Sequence, residues 1–340
     1  MPDSRRTRVL IVDDSPFVRK ALLRIFEREP SIDVVGAARN GKEALEKTLL
    51  LKPDVVTLDI MMPVMDGIDT LKAIMERYPV PVLILSQFTH EGAELTLKAL
   101  ELGAMDFVDK SSTGIMDFLS LANEIVTKVK AISRSKPVRL AYESSHTLKY
   151  ASRGIVDVVA IGASTGGPPA LQMILQKFPK DITFGILIVQ HMPKGFTASL
   201  AARLDSLCAF RVKEAEEGDK IEHGLALVAP SGLHMKVGKG AGSVRLDVEP
   251  LNAIHRPSAD VLFRSVSDSY GSRSIGVILT GMGADGAKGI VAIKNAGGKT
   301  ISQDEATSTI FGMPKVAIES GKVDRVLPIT EIAEEILRSS

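Results

Sequence analysis

The chain has 340 residues, 45% of them hydrophobic and 24% charged, with 42 basic and 41 acidic side chains. That length exceeds what one hydrophobic core usually supports, so two domains are expected. No run approaches the ~20 apolar residues of a membrane helix, the Met-Pro-Asp-Ser-Arg-Arg start has no apolar export segment, and Cys208 has no second cysteine to pair with, so membrane insertion and a disulfide framework are excluded and the cytoplasm is the expected compartment.

The first predicted domain alternates apolar strand runs with helical patterns. Arg8–Val12 reads as a buried strand ending at Asp13-Asp14. Ser15-Pro16 then supplies an N-cap and a first-turn proline to a helix whose Val18, Leu22 and Ile25 share one face. Further strands are predicted at Ile32–Gly36, Asp54–Leu58, Val80–Leu85 and Met105–Val108. Between them, Asn40-Gly-Lys-Glu43 opens one helix with an approximate capping box and Asp66-Gly67 opens the next. Gly103 stops a fourth helix, and Phe118, Ala122, Ile125 and Val129 mark a fifth. Five β–α units with right-handed crossovers make a doubly wound parallel sheet.

Residues 131–153 are rich in Ser and charge and read as a linker. Residues 1–127 carry 15 basic and 20 acidic side chains, residues 128–153 carry 7 and 1, and residues 154–340 carry 20 of each. A basic connector could meet an acidic surface or nucleic acid. Aromatic residues are only 4%, and no basic reading helix accompanies the connector, so no nucleic-acid partner is expected. Beyond it the β/α alternation returns, with strand runs at Val156–Ile161, Phe184–Gln190 and Ile275–Leu279. Gly224–Ala229, Leu233–Val237 and Val244–Val248 read as short strands in an antiparallel excursion.

Polar residues collect at the predicted strand ends. In the first domain these are Asp13, Asp14, Asp59, Ser86 and Lys110. Three converging carboxylates repel one another unless a divalent cation shares them, and an all-oxygen set with open positions suits Mg²⁺. A carboxylate beside that ion can attack a phosphoryl donor and become an acyl phosphate, which Lys110 and the Ser86 hydroxyl can stabilise. In the second domain, Ser164 lies in the strand-to-helix corner Gly162-Ala-Ser-Thr-Gly-Gly-Pro-Pro169, where helix N-terminal N–H groups can meet an oxyanion. Two later strands run into Gln190-His191-Met192-Pro193 and Thr280-Gly-Met-Gly-Ala-Asp285-Gly286. Serine becomes a useful nucleophile only when a neutral imidazole takes its proton, and the imidazole needs a carboxylate to fix its tautomer. Asp285 could also serve as the N-cap of a helix over residues 286–296.

Residues 6–130 resemble the response-regulator receiver family. That resemblance implies a flavodoxin-like fold, phosphorylation of Asp59 by a histidine kinase, and Mg²⁺ held by Asp14, Asp59 and the Met61 carbonyl with support from Asp13. It also puts Ser86 and Phe107 at switch positions beside Lys110, while Ser111 departs from the family's usual proline. Gly-Ala-Ser-Thr-Gly-Gly-Pro, Gln-His-Met-Pro, His-Arg-Pro-Ser-Ala-Asp and Leu-Thr-Gly-Met-Gly-Ala-Asp-Gly make residues 154–340 similar to the catalytic domain of the chemotaxis protein-glutamate methylesterases (CheB). The implied fold is an α/β-hydrolase-type domain. Its implied roles are Ser164 as nucleophile, His191 as base, Asp285 as orienting acid, a Met282 N–H for the oxyanion, and Thr165 and His255 beside the substrate. The implied substrates are methyl-accepting chemotaxis receptors, demethylated and deamidated with no cofactor for the esterase. The competing reading is a response regulator with a DNA-binding or non-catalytic output domain.

Overall fold

A computed structural model describes residues 5–87, 89–110, 115–135, 147–148, 156–238, 240 and 242–340, with backbone alone for residues 90 and 115–120. Ser111, the Phe118 side chain and most of the predicted linker lie outside the described residues. The chain divides into two compact units, Met1–Leu140 and Ala141–Ser340.

The first unit runs β1 (Thr7–Val12), α1 (Pro16–Glu27), β2 (Ile32–Ala38), α2 (Gly41–Leu51), β3 (Val55–Asp59), α3 (Gly67–Arg77), β4 (Val82–Ser86), α4 (His90–Glu101), β5 (Asp106–Asp109) and α5 (Ile115–Ile132). Its strands pair in parallel in the order β2-β1-β3-β4-β5, the flavodoxin-like arrangement. Every residue of β3 and β4 is buried, as expected when helices cover both faces of a parallel sheet. Side chains start the helices where the sequence signals them: Ser15, Asn40 and Asp66 accept from the N–H groups of Val18, Glu43 and Asp69. The capping box is modified, because the Glu43 carboxylate accepts from the Arg39 N–H rather than that of Asn40.

The second unit runs β6 (Val158–Ala163), α6 (Gly167–Leu175), β7 (Gly185–Gln190), α7 (Phe196–Leu207), β8 (Arg211–Glu214), β9 (Leu225–Val228), β10 (His234–Val237), β11 (Val244–Asp247), α8 (Ala259–Tyr270), β12 (Ser274–Ile278), α9 (Ala287–Asn295), β13 (Lys299–Gln303), α10 (Met313–Glu319), β14 (Arg325–Leu327) and α11 (Ile329–Ser339). Seven strands form one parallel sheet in the order β14-β13-β12-β6-β7-β9-β8. Only β10 and β11 are antiparallel among the described strands.

This corrects the expectation for residues 224–229. Gly224 and Pro230-Ser-Gly232 look like hairpin turns, but all four residues of β9 are buried, and β9 is an interior strand between β7 and β8. Strands β8, β13 and β14 escape the sequence reading because they are not apolar runs. Strand β8 is Arg-Val-Lys-Glu at one edge, β14 exposes Arg325 and Val326 at the other, and β13 buries Thr300, Ser302 and Gln303. Half-buried Cys208 ends α7, and burial with the nearby Asp205 charge pushes its thiol up to about 12, so it stays protonated. Among the described residues no helix is long and apolar enough to cross a membrane.

Helix α8 lies close against α9, and one glycine makes the approach possible. A Cβ on Gly289 would fall 2.5 Å from the Phe263 Cβ. Phe263 itself is fully buried in the core with Leu262, Val266, Ile290 and Ile293. Phe263→Ala is expected to cost roughly 3–5 kcal/mol through cavity formation, read as a lower urea midpoint. A loss below about 1 kcal/mol would mean that this ring does not seat α8.

Candidate active site

Open parallel sheets bind ligands outside the carboxyl ends of their strands, where the strand order reverses. In the first unit that point lies between β1 and β3. Asp13 follows β1 and is fully buried, Asp59 ends β3 with 4% exposure, and Asp14 is exposed. One carboxylate oxygen from each lies within 4.8 Å of the others. Lys110 follows β5 and reaches back, its Nζ 2.7 Å from Asp59 and 3.0 Å from Asp13. Burial works against the lysine charge, but the two carboxylates outweigh it and hold its pKa above the usual value. Burial pushes the Asp59 carboxyl up, with Lys110 opposing and Asp13 adding to the rise. Three carboxylates and one ammonium leave a net charge of −2, which fits a divalent, oxygen-seeking ion.

The other expected residues of this unit sit around that cluster. The Met61 N–H points to Asp59 Oδ1 at 3.4 Å. Ser86 is buried, with its Oγ 2.8 Å from the Thr96 hydroxyl on α4. Turning Ser86 toward a phosphoryl group on Asp59 would compete with that hydrogen bond. Phe107 is buried, and Lys128 Nζ lies 5.5 Å from its ring centroid while donating to its carbonyl at 2.6 Å.

In the second unit the order reverses between β6 and β12. Ser164 follows β6, and Gly166 (φ +77°) turns the chain into α6. His191 follows the neighbouring strand β7, and Asp285 lies in the loop after β12. His191 Nε2 is 2.9 Å from Asp285 Oδ2. A carboxylate can only accept there, so Nε2 carries the proton and the lone pair of the neutral ring sits on Nδ1. That Nδ1 is buried and has no hydrogen-bond partner among the described residues. The His255 ring stacks on His191, with centroids 4.2 Å apart and planes at 19°. Burial and the neighbouring His191 charge lower the His255 pKa, with Asp285 partly offsetting them, so His255 favours the neutral imidazole.

Asp285 corrects a second expectation. Gly286, not Asp285, is the N-cap residue of α9, and the carboxylate that bonds that helix start is Asp260 of α8, which accepts from the Gly289 N–H at 2.7 Å. The Asp285 carboxylate instead turns to α8, accepting from the Ser258 hydroxyl at 2.7 Å and from the Ala259 and Asp260 N–H groups at 2.6 and 3.1 Å. It therefore sits at the positive end of a 12-residue helix. Burial would raise its pKa, but His191, Ser258 and the Ala259 N–H outweigh burial and hold it well below the usual carboxylate range. Ser258 escaped the sequence reading because its link to Asp285 spans 27 residues, although Ser-Ala-Asp before an apolar run does signal the α8 N-cap it also provides.

The loop that carries Asp285 is pinned from below. Gly281 donates to the Ile310 carbonyl and accepts from Gly312 and Met313, and a Cβ on Gly281 would lie 2.7 Å from the Ser164 Cβ. Met282, half-buried, follows at once. Thr165 is buried, and its carbonyl accepts from the Thr280 hydroxyl at 2.9 Å. Gln190 also lacked a role in the sequence reading; its side chain bonds the backbone on both sides of the Ser164–His191 corner.

A flavodoxin-like sheet with a buried acid cluster, followed by a hydrolase-type α/β sheet, defines a two-domain protein of receiver and hydrolase architecture. The response regulator receiver domain matches residues 9–116, and the CheB methylesterase family matches residues 159–336. A protein-glutamate methylesterase/protein-glutamine glutaminase from Pyrococcus horikoshii is 48% identical over 345 residues, covering 98% of this chain and 94% of its own length. One of the same name from Archaeoglobus fulgidus is 49% identical, with 97% of each chain covered. The crystal structure of the Thermotoga maritima CheB methylesterase catalytic domain covers 54% of this chain and 99% of its own, at 43% identity and a TM-score of 0.52. The chain belongs to the CheB methylesterase family.

The depressed pKa of Asp285 gives a signed expectation. Its ionised form contributes stability that is full above the unfolded-state value of about 4 and is lost as pH falls through the lower folded value. The difference in thermal stability between wild type and Asp285→Asn should therefore shrink as pH drops below about 4. A difference that stays constant from pH 7 to pH 3 would show that the carboxylate charge is not what α8 and His191 stabilise.

Proposed function

We propose that the second unit hydrolyses glutamyl methyl esters on methyl-accepting chemotaxis receptors and deamidates receptor glutamines, under control of phosphorylation at Asp59. The observation that carries this reading is the 2.9 Å hydrogen bond between His191 and Asp285 at the sheet edge that holds Ser164. With Nε2–H committed to Asp285, Nδ1 is the basic atom that takes the Ser164 proton. Ser164 Oγ bonds to the ester carbonyl carbon, and the resulting oxyanion is met by N–H groups of the corner, with Met282 contributing its own. His191 then returns the proton to the departing methoxide, releasing methanol and leaving a glutamyl ester on Ser164. Water, deprotonated by the same imidazole, releases glutamate and restores the hydroxyl. With an amide substrate the same sequence releases ammonia. Thr165 and His255 border the substrate. The Pyrococcus and Archaeoglobus relatives, named for both activities and covered almost end to end, support this reading.

In the first unit Asp59 takes the phosphoryl group from a histidine kinase. Asp13, Asp14, Asp59 and the Met61 carbonyl would hold Mg²⁺, which would screen the carboxylates and draw charge from the incoming phosphoryl oxygens. Lys110 neutralises the new charge, Ser86 donates to a phosphoryl oxygen, and Phe107 responds on the same face. The single cysteine, held as a thiol, suits work in the cytoplasm. The balanced charge of residues 154–340 and their parallel sheet give no support to a DNA-binding output.

Ser164→Ala should abolish methanol release from methylated receptor membranes, since losing a triad nucleophile costs on the order of 10⁶ in turnover. Near-normal release by the folded variant would overturn the assignment. With Mg²⁺ and a small phosphodonor, the wild type should acquire an alkali-labile acyl phosphate and Asp59→Asn should not. Labelling of Asp59→Asn at the wild-type level would move the acceptor elsewhere.

A further inference from the structure

Strands β6 and β7 run side by side to the site, and their ladder ends at the pair Ala163–Gln190, where the His191 N–H donates to the Ala163 carbonyl. Beyond that rung the chains diverge, Ser164 into α6 and His191 toward α7. The Gln190 side chain, 2% exposed, bridges the divergence. Its amide Nε2 donates to the Ser164 carbonyl at 2.9 Å and to the His191 carbonyl at 3.1 Å. An NH₂ group has two hydrogens, so both are spent on these two residues.

The fit around that amide is close. The Ser164 carbonyl also accepts from the Gly167 N–H at 2.7 Å, which closes the corner from the helix side. A Cβ on Gly167 would fall 1.9 Å from Gln190 Oε1, so only glycine there leaves space for the amide. Oε1 itself is buried and has no hydrogen-bond partner among the described residues. A buried polar atom without a partner costs stability, and a nonpolar side chain of similar length would avoid that cost. What glutamine alone adds here is a pair of donors that tie two backbones together.

We infer that Gln190 is a positioning residue that sets the spacing of Ser164 and His191 by hydrogen-bonding both backbone carbonyls through one amide. It rests on the reading of Ser164 as nucleophile and His191 as base. Gln190 is not a catalytic residue, because neither of its N–H groups is left for substrate. Misplacing reacting groups by about 1 Å can cost on the order of 100-fold in rate, so a single clamp of this kind has the leverage to matter.

Two variants of the full chain test it. Gln190→Met keeps length and bulk but has no donor. It should lower kcat for methanol release about 10- to 100-fold and leave KM within about twofold of wild type. In Gln190→Glu the ionised side chain offers acceptors to two carbonyls, whereas the protonated acid can donate to one of them. The ratio of Gln190→Glu to wild-type kcat should therefore rise as pH falls from 8.5 to 6, with the acid pKa raised by burial. A readout independent of ester chemistry is the nitrogen NMR spectrum of histidine-labelled protein, with His191 assigned by its absence in His191→Gln. One sharp Nε2–H tautomer is expected in wild type and an exchange-broadened signal in Gln190→Met. Wild-type kcat in Gln190→Met, a pH-independent Glu-to-wild-type ratio, or an unchanged His191 spectrum in Gln190→Met would each overturn the positioning role. If wild type releases no methanol while the His191 spectrum responds to Gln190→Met, the esterase reading fails and the clamp stands.

Discussion

Asp285 is the interaction on which the second unit's site depends. One carboxylate accepts from the imidazole of His191, a serine hydroxyl and two backbone N–H groups of α8. An isolated buried carboxylate would be protonated, and a protonated Asp285 could not fix the histidine tautomer. The helix terminus supplies the donors that keep it charged, and packing of α8 against α9 helps to place it there. That placement traces back to the bare Cα of Gly289 facing Phe263. Packing and electrostatics thus form one continuous chain of cause from a core glycine to the His191 ring.

The two units use the same architecture for opposite electrostatic purposes. In the first, carboxylates are crowded together at the sheet edge with Lys110 opposing them, so the site is left anionic and attracts a cation. In the second, the Asp285 carboxylate is compensated by its donors, and the His255 ring stacked on His191 favours the neutral form. The first arrangement gathers charge, and the second disperses it over several donors. Both follow from which residues close the strands, since the strands that lead into the two sites, β1, β3, β6, β7 and β12, are mostly apolar.

Much of this was legible in the sequence. Period and length gave the β/α alternation, and Ser15, Asn40 and Asp66 announced their helices because capping is decided within three residues. The acid cluster and the Ser, His and Asp of the second unit were readable because each lies at or in the loop just beyond the end of an apolar run. What escaped was non-local or polar. Strand β13 buries Thr300, Ser302 and Gln303, whose environment is set by neighbours far along the chain. Asp285 looked like the cap of its own helix and caps another, a choice made by packing of α8 against α9 rather than by local propensity. Gln190 stood inside a recognised motif, yet its partners are backbone carbonyls, which carry no residue-type signal.

The strand order also has a kinetic meaning. Ser164 and His191 lie on successive strands, but β12, which carries the loop to Asp285, must insert on the far side of β6 after the intervening excursion has been made. His191 and Asp285 are 94 residues apart in the chain. Contacts of that span form late, because a large loop must close before they give anything back. Neighbouring strands and local helices can assemble while the His191–Asp285 pair is still unmade. During refolding, catalytic competence therefore reports closure of the whole sheet, and a chain that has regained its helices is still inert until β12 pairs with β6.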